Sequence, residues 1–219
     1  MSRPLRLAAM ISGTGSNLAV VLDAVARGAL DLEVVEVISN RAGAPGLERA
    51  REHGVPTRVI GRDNAGPAGE DAALADRLGA LDPDLILLTG YMRILGADLV
   101  NAFTGRMINQ HPSLLPRHKG LHTHRRALEA GDREHGASVH FVTPELDGGP
   151  VIAQVHVPVE AGDDETRLAQ RVAPRERALL LALLPLFTSG RLALENGAVH
   201  LDGRPLDAPL RFEGESLHA

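Results

Sequence analysis

Leu5 to Ile11 is a short apolar run closed by Ser12-Gly13-Thr14-Gly15, after which apolar residues recur at Leu18, Val21, Leu22 and Val25 with helical spacing. The pattern predicts a strand, a glycine turn and a helix. It then repeats, with strands over Leu32–Ile38, Pro56–Ile60 and Asp84–Leu88 and helices over Gly46–His53 and Glu70–Leu81. Strands that alternate with helices predict an α/β fold, a mostly parallel sheet covered on both faces. Gly61–Gly69, rich in Gly, Ala and Pro, is expected to be a surface loop.

Beyond Leu88 the rhythm changes. Met107–Asn109 reads as a short strand, followed by a long polar segment through His124, a short helix near Arg125–Ala130, and strands over Ala137–Val142 and Val151–Val157. A polar segment of that length inside a compact domain points to function rather than connection. Asp164–Leu184 has the pattern of a long helix, which Pro174 is expected to interrupt with a kink because proline has no N–H to donate. Leu192–Glu195 and Ala198–Leu201 flank Asn196-Gly197, the dipeptide of a tight hairpin. No repeat or low-complexity linker divides the chain, so one domain is expected.

Composition narrows the chemistry. The 219 residues are 44% hydrophobic and 23% charged, with a net charge of -5, as in an ordinary soluble globular chain. Cysteine is absent, which removes disulfides, thiolate metal sites, iron–sulfur clusters and a cysteine nucleophile. An acidic chain with no Trp, one Tyr and four Phe has little with which to hold phosphate backbones or stack bases, so no nucleic-acid partner is expected. Arg3 leads straight into a short apolar strand, with no signal-like or membrane-length segment; the expected compartment is the cytoplasm, away from membranes. Seven of the ten histidines fall between His111 and His156.

Gly13-Thr14-Gly15-Ser16-Asn17 lies between a strand and a helix, where free N–H groups and the helix dipole favour an anion. A dinucleotide fingerprint would need glycine at Leu18 and an acid where Ser39 and Asn40 stand, and no Gly-Lys-Ser/Thr follows to make a Walker loop. Two readings remain: a site for a single phosphate, or a tight turn whose glycines serve geometry alone.

Asn109 and His111 stand two residues apart at the end of a strand, so their side chains share a face at the edge where α/β sheets bind ligands. An amide can stabilise an oxyanion and an imidazole can move a proton near neutral pH, although a histidine can equally be a structural group. Asp147, in the turn sequence Glu145-Leu146-Asp147-Gly148-Gly149-Pro150, is either a local backbone cap or, beside His111, a carboxylate that raises the imidazole's pKa and orients it. His122-Thr123-His124 puts two imidazoles on one face of an extended chain but lacks a third ligand at short spacing, so no metal is expected.

Taken together, Ile11–Asn17, Met92-Arg93-Ile94-Leu95, Asn109-Gln110-His111-Pro112-Ser113-Leu114-Leu115-Pro116, Gly120-Leu121-His122-Thr123-His124, His135–Val142 and Glu145–Pro150 resemble, in order, the phosphoribosylglycinamide formyltransferase family of folate-dependent enzymes. The resemblance runs from about residue 5 to the C-terminal hairpin. It implies a Rossmann-like, mostly parallel sheet flanked by helices, with a long C-terminal helix and a β-hairpin. It implies one formyltransferase domain over 1–219, with a phosphate-binding half over about 1–104 and a catalytic, folate-binding half over about 105–219. The implied activity is transfer of a formyl group from the co-substrate 10-formyltetrahydrofolate to the amine of glycinamide ribonucleotide, a step of purine synthesis. Small molecules are the implied partners, and a homodimer is left open.

Carried over position by position, Gly13, Thr14, Gly15, Ser16 and Asn17 would hold the phosphate and Glu176 the ribose. Met92, Arg93, Ile94, Leu95, Asn109, Val142 and Asp147 would border the folate. Asn109, His111 and Asp147 would be the catalytic trio, acting by direct acyl transfer without metal or covalent enzyme intermediate. The chain departs from the family's pattern at Gly61–Gly69, which carries no aromatic residue, at Ala173-Pro174, and at His118, where an aromatic is frequent. The rivals are the hydrolase that releases formate from the same donor, the formyltransferase acting on initiator tRNA, and a nucleotide-binding regulator without catalysis. The length of 219 residues argues against the added domains of the first two.

Overall fold

The structure, a computed structural model, describes residues 3–61 and 66–219, and its chain divides into two compact units, Met1–Asn109 and Gln110–Ala219. In the first unit, β1 (Leu5–Ile11), β2 (Leu32–Ser39), β3 (Thr57–Val59) and β4 (Leu85–Thr89) alternate with α1 (Ser16–Ala26), α2 (Pro45–Glu52) and α3 (Gly66–Leu81). β1 pairs in parallel with both β2 and β4, and β2 with β3. Leu7 through Ile11 have no exposed surface, which is why β1 reads as an unbroken apolar run and not an alternating one. A short helix, α4 (Ala97–Ala102), leads to β5 (Met107–His111), the strand along which the chain passes into the second unit.

α3 begins at Gly66, so Gly66–Gly69 of the expected loop over Gly61–Gly69 are helical; residues 62–65 of that stretch lie outside the described residues. Pro67 suits a first helical turn, where its missing N–H is not needed and its φ is already helical. The helix is also fastened from its other face: buried Glu36 on β2 accepts two hydrogen bonds from Arg77, at 2.8 and 2.6 Å. Tertiary contacts of this kind outweigh the turn-like composition of the segment.

The second unit opens with α5 (Thr123–Glu129) and continues through the antiparallel pair β6 (Glu134–Phe141) and β7 (Val151–Pro158) to α6 (Glu165–Thr188). α6 runs unbroken for 24 residues with Pro174 and Pro185 inside it, against the expected interruption. An interior proline costs about 3 kcal/mol. Leu168, Val172, Leu179, Leu180, Leu183 and Leu184 are all buried along one face, and at about 1.5–3 kcal/mol for each fully buried side chain they dominate. The Asp164 side chain caps the helix by accepting the Arg167 N–H at 2.8 Å.

β8 (Leu192–Glu195) and β9 (Ala198–Leu201) form the expected hairpin, with Asn196 and Gly197 at φ 52° and 78°, the double positive φ of a type I′ turn. β10 (Arg204–Pro205) extends it into a small antiparallel sheet. β11 (Leu210–Glu213) pairs in parallel with β7, and β12 (Ser216–His218) pairs antiparallel with β11. The fold is thus α/β, mostly parallel strands flanked by helices, with a long helix and a hairpin toward the C-terminus. Among the described residues no helix is long and apolar enough to cross a membrane.

Candidate active site

In the first unit, β1 ends at Ile11 and the chain turns through Gly13, Thr14 and Gly15 into α1. Gly15 sits at φ 65°, and a Cβ there would stand 2.9 Å from the Gly46 Cα, so both conformation and space require glycine. The Gly46 N–H donates to the Gly13 carbonyl at 3.1 Å and fixes the turn against α2. α1 has no side-chain cap and no acid in its first turn, beginning at Ser16 and Asn17. Its N-terminal N–H groups and positive dipole end are therefore available to an anion.

Just before this turn, the buried Ser12 hydroxyl donates to Asn40 Oδ1 at 2.6 Å and accepts the Met92 N–H at 2.8 Å. It joins the glycine turn to the segment after β4. That segment alternates: Tyr91 and Leu95 are buried, whereas Met92 and Ile94 are 58% and 69% exposed. Arg93 turns inward with its neighbours of the same parity, and its guanidinium donates to the Pro67 carbonyl at 2.9 Å and to Asp71. Of the four residues of this segment expected at the folate, Met92 and Ile94 thus present apolar side chains outward, and Arg93 and Leu95 do not.

β5 carries Asn109 and His111 on one face and Ile108 and Gln110 on the other, as strand alternation requires. In the second unit the buried Gln110 amide donates to the Glu176 carbonyl of α6 at 2.7 Å. The Glu176 side chain is itself buried. Val142, just past the end of β6, is half-buried.

His111 is buried with both ring nitrogens facing acceptors. Nε2 donates to the His118 carbonyl at 3.1 Å, and Nδ1 stands 3.5 Å from Asp147 Oδ2. On its other side Asp147 Oδ1 lies 3.6 Å from His140 Nε2, while Oδ2 accepts the Gly120 N–H at 2.8 Å. His140 Nδ1 donates to the Phe141 carbonyl at 2.9 Å, since a carbonyl can only accept. Each imidazole therefore uses one N–H on a backbone carbonyl and turns its second nitrogen to the same carboxylate.

Burial would raise the Asp147 pKa, but the His140 side chain, the Gly120 N–H and the nearby His111 together hold it at about 2. For His111 burial is also the largest influence and here it wins: the pKa is lowered, with Asp147 opposing. Asp147 thus acts upward on His111 as expected, but the net shift is downward, not the charged resting ring that its presence alone would give. Desolvation of a charged ring outweighs one carboxylate at 3.5 Å. The backbone is strained at the same place, with positive φ at Asp147 (47°), His118 (55°) and His122 (58°), a conformation that costs a non-glycine residue about 1–2 kcal/mol.

A second group of imidazoles supports the segment. His118 Nε2 donates to Asp132 at 2.7 Å, and Asp132 is also paired with Arg117. His135 Nε2 and His124 Nδ1 share a hydrogen bond of 3.0 Å. Burial, helped by His124, pushes His135 down to about 4, and burial also lowers His124. His122, the other half of the candidate metal pair, is exposed at the start of α5. Among the described residues no group of three or more His, Asp or Glu is placed to hold a metal ion.

The structure brings His111 and Asp147 together and adds three partners that sequence reasoning did not assign: His140, the Gly120 N–H and the His118 carbonyl. The advance signals for His140 are its place in the His135–Val142 motif and the histidine-rich bias around that strand.

The sequence profile of the formyl transferase family matches residues 5–184. The chain is 46% identical over 203 residues to the phosphoribosylglycinamide formyltransferase of Escherichia coli (strain K12), covering 92% of this chain and 96% of that protein. It is 44% identical to the trifunctional purine biosynthetic protein adenosine-3 of Drosophila melanogaster, over 86% of this chain and 14% of that much longer protein. Among solved structures, the phosphoribosylglycinamide formyltransferase of Coxiella burnetii superposes with a TM-score of 0.88 at 44% identity, covering 93% of this chain and 96% of that one. A buried His–Asp–His arrangement at the end of an α/β strand, a glycine turn open to an anion, and full-length likeness of this degree lead to one conclusion: the chain belongs to the phosphoribosylglycinamide formyltransferase family of transferases.

Proposed function

We propose that the chain transfers the formyl group of 10-formyltetrahydrofolate to the amine of glycinamide ribonucleotide, giving formylglycinamide ribonucleotide and tetrahydrofolate in purine synthesis. The observation that carries the reading is Asp147, held ionised at about 2 between His111 and His140. In the first unit, Gly13, Thr14, Gly15, Ser16 and Asn17 take the substrate phosphate at the N-terminus of α1. In the second, Glu176 takes the ribose. Met92 and Ile94, exposed and apolar, supply a wall for the folate ring, with Val142 and Asp147 as further border.

The substrate amine attacks the formyl carbon, forming a C–N bond and placing negative charge on the formyl oxygen. The Asn109 amide donates to that oxygen, and the His111 Nε2–H, which rests on the His118 carbonyl in the free protein, turns to it as charge develops. Growing negative charge beside the ring strengthens the hydrogen bond that its Nε2–H donates, and the ring keeps the proton it has throughout. The bond from carbon to the folate nitrogen then breaks, and the proton lost by the amine moves to that nitrogen through water, with Asp147 keeping the imidazole oriented. No metal is required, the partners are small molecules, the setting is cytoplasmic, and one chain suffices whether or not two copies pair.

The test mixes purified protein with 10-formyltetrahydrofolate in the presence and absence of glycinamide ribonucleotide and follows tetrahydrofolate release. Release that depends on the nucleotide and matches formylated product supports the reading. Release indifferent to the nucleotide identifies a hydrolase instead, and saturable nucleotide binding without release identifies a regulator.

A further inference from the structure

The segment Tyr91–Leu95 displays its even positions and buries its odd ones, and the burial of Arg93 is the unusual member of that pattern. Its side chain is only 13% exposed. Nη2 donates to the Pro67 carbonyl and to Asp71, and Nε stands 3.4 Å from Oε2 of Glu70, whose side chain is 1% exposed. Asp71 uses its second oxygen to accept the Gly96 N–H at 3.0 Å, so the same carboxylate holds both the arginine and the backbone just past Leu95. Tyr91 Oη, Arg93 Nη1 and Glu70 Oε1 are buried here without a hydrogen-bond partner of good geometry. Burying three polar atoms on side chains of one cluster is costly, because the hydrogen bonds they give up to water are not fully replaced. Stability gives little reason for such a cluster, since apolar groups of the same volume would often serve as well.

Its geometric effect is specific. An inward pull on Arg93, a bond from the Met92 N–H to Ser12 Oγ at 2.8 Å, and the Asp71 bond to Gly96 fix the segment at three successive places. With the backbone so held, Met92 and Ile94 have to face outward. The guanidinium, meanwhile, is engaged by two carboxylates and a carbonyl, and its charge is not presented to a ligand.

We propose that Arg93 is a positioning residue for the formyl donor: its ion-pair cluster with Glu70 and Asp71 sets the apolar ledge of Met92 and Ile94, and its guanidinium does not touch the folate. The proposal rests on the reading that this segment borders the folate. An arginine that did touch the donor would pair with the only strongly anionic part of the molecule, its glutamate. The two roles therefore separate on a donor that lacks that group.

The experiment compares wild type, Arg93→Ala, Arg93→Lys, Glu70→Gln and Asp71→Asn with 10-formyltetrahydrofolate and with glutamate-free 10-formyltetrahydropteroate. The expected result for Arg93→Ala is a KM for both donors raised by the same factor, about tenfold, with kcat and the KM for glycinamide ribonucleotide changed less than about twofold. Asp71→Asn should reproduce that profile, and adding it to Arg93→Ala should raise KM little further, since both act through one cluster. If Arg93→Ala does not fold, Glu70→Gln and Arg93→Lys, which keep shape or charge, carry the comparison. A penalty confined to the glutamate-bearing donor, or an Asp71→Asn variant with unchanged donor KM, would overturn the proposal. A wild-type protein that transfers no formyl group at all defeats the functional reading itself, a separate and recognisable result.

Discussion

The glycine turn of the first unit and the histidine-rich segment of the second solve different problems with different parts of the chain. The turn works through its backbone: Gly15 has the positive φ and the bare Cα that let Gly46 approach, and the helix behind it offers N–H groups. The histidine segment works through side chains whose protonation is displaced by burial and by one another, His135 to about 4 and Asp147 to about 2. Its backbone is strained at His118, His122 and Asp147, none of them glycine. On the proposed function, the comparison teaches that a backbone turn can hold an anion by geometry, whereas moving charge during a reaction needs groups kept away from their ordinary equilibria.

The contrast breaks most directly at the trio. Asn109→Ala and His111→Ala are each expected to lower kcat about 100- to 1000-fold, the usual loss for an oxyanion donor, with near-normal melting for Asn109→Ala. Formyl-transfer assays on the purified variants decide it, and a loss below tenfold in either would remove that residue from its role. Asp147→Asn should cost about 100-fold in kcat with the fold retained, because asparagine tolerates the positive φ of 47°. Asparagine cannot stay ionised between two imidazoles, so loss of rate without loss of structure isolates the charge.

The next effect concerns stability against pH. His135 has a pKa of about 4 in the folded chain and an ordinary value near 6.5 when unfolded. The unfolded chain therefore binds more protons between those values, and the stability held above about pH 6.5 is lost as the pH falls toward 4. The loss from this group is on the order of 2–3 kcal/mol. Urea midpoints measured from pH 7 to pH 4.5 should fall, and His135→Gln should flatten that dependence; an equally steep curve in the variant would assign it elsewhere.

The smallest effects belong to the turn. Gly15→Ala should destabilise the protein by about 1–2 kcal/mol and raise the KM for the ribonucleotide while leaving the donor KM near its wild-type value. Gly13→Ala, where a Cβ would meet nothing within 4 Å, should change stability by about 0.5 kcal/mol or less. Equal penalties at the two glycines would mean that crowding against Gly46 is not what fixes the turn.

Much of the frame is legible without coordinates. β1 is an unbroken apolar run because it is covered on both faces, and the hairpin follows from Asn196-Gly197, a purely local signal. The misjudged elements depend on distant partners. α3 starts at Gly66 where composition alone suggests loop, and α6 absorbs Pro174 because a long leucine face is buried. β11 is only four residues long, and its alternation of Leu210 and Phe212 with Arg211 and Glu213 gains meaning only from pairing with β7. The site divides in the same way. Asn109, His111 and Asp147 stand out by type and local setting, but the role of His140, the His118 carbonyl and the net direction of the His111 pKa are set by burial and by contacts far apart in sequence.

The Gln110 amide, fixed to the Glu176 carbonyl at 2.7 Å, has a consequence for how this chain can vary over evolutionary time. Because β5 alternates Ile108 and Gln110 with Asn109 and His111, a single deletion within it would exchange the faces of the residues beyond it and take the amide off its carbonyl partner. This strand can change length without exchanging its faces only in steps of two. Its reading frame in space is as strict as the one in its gene.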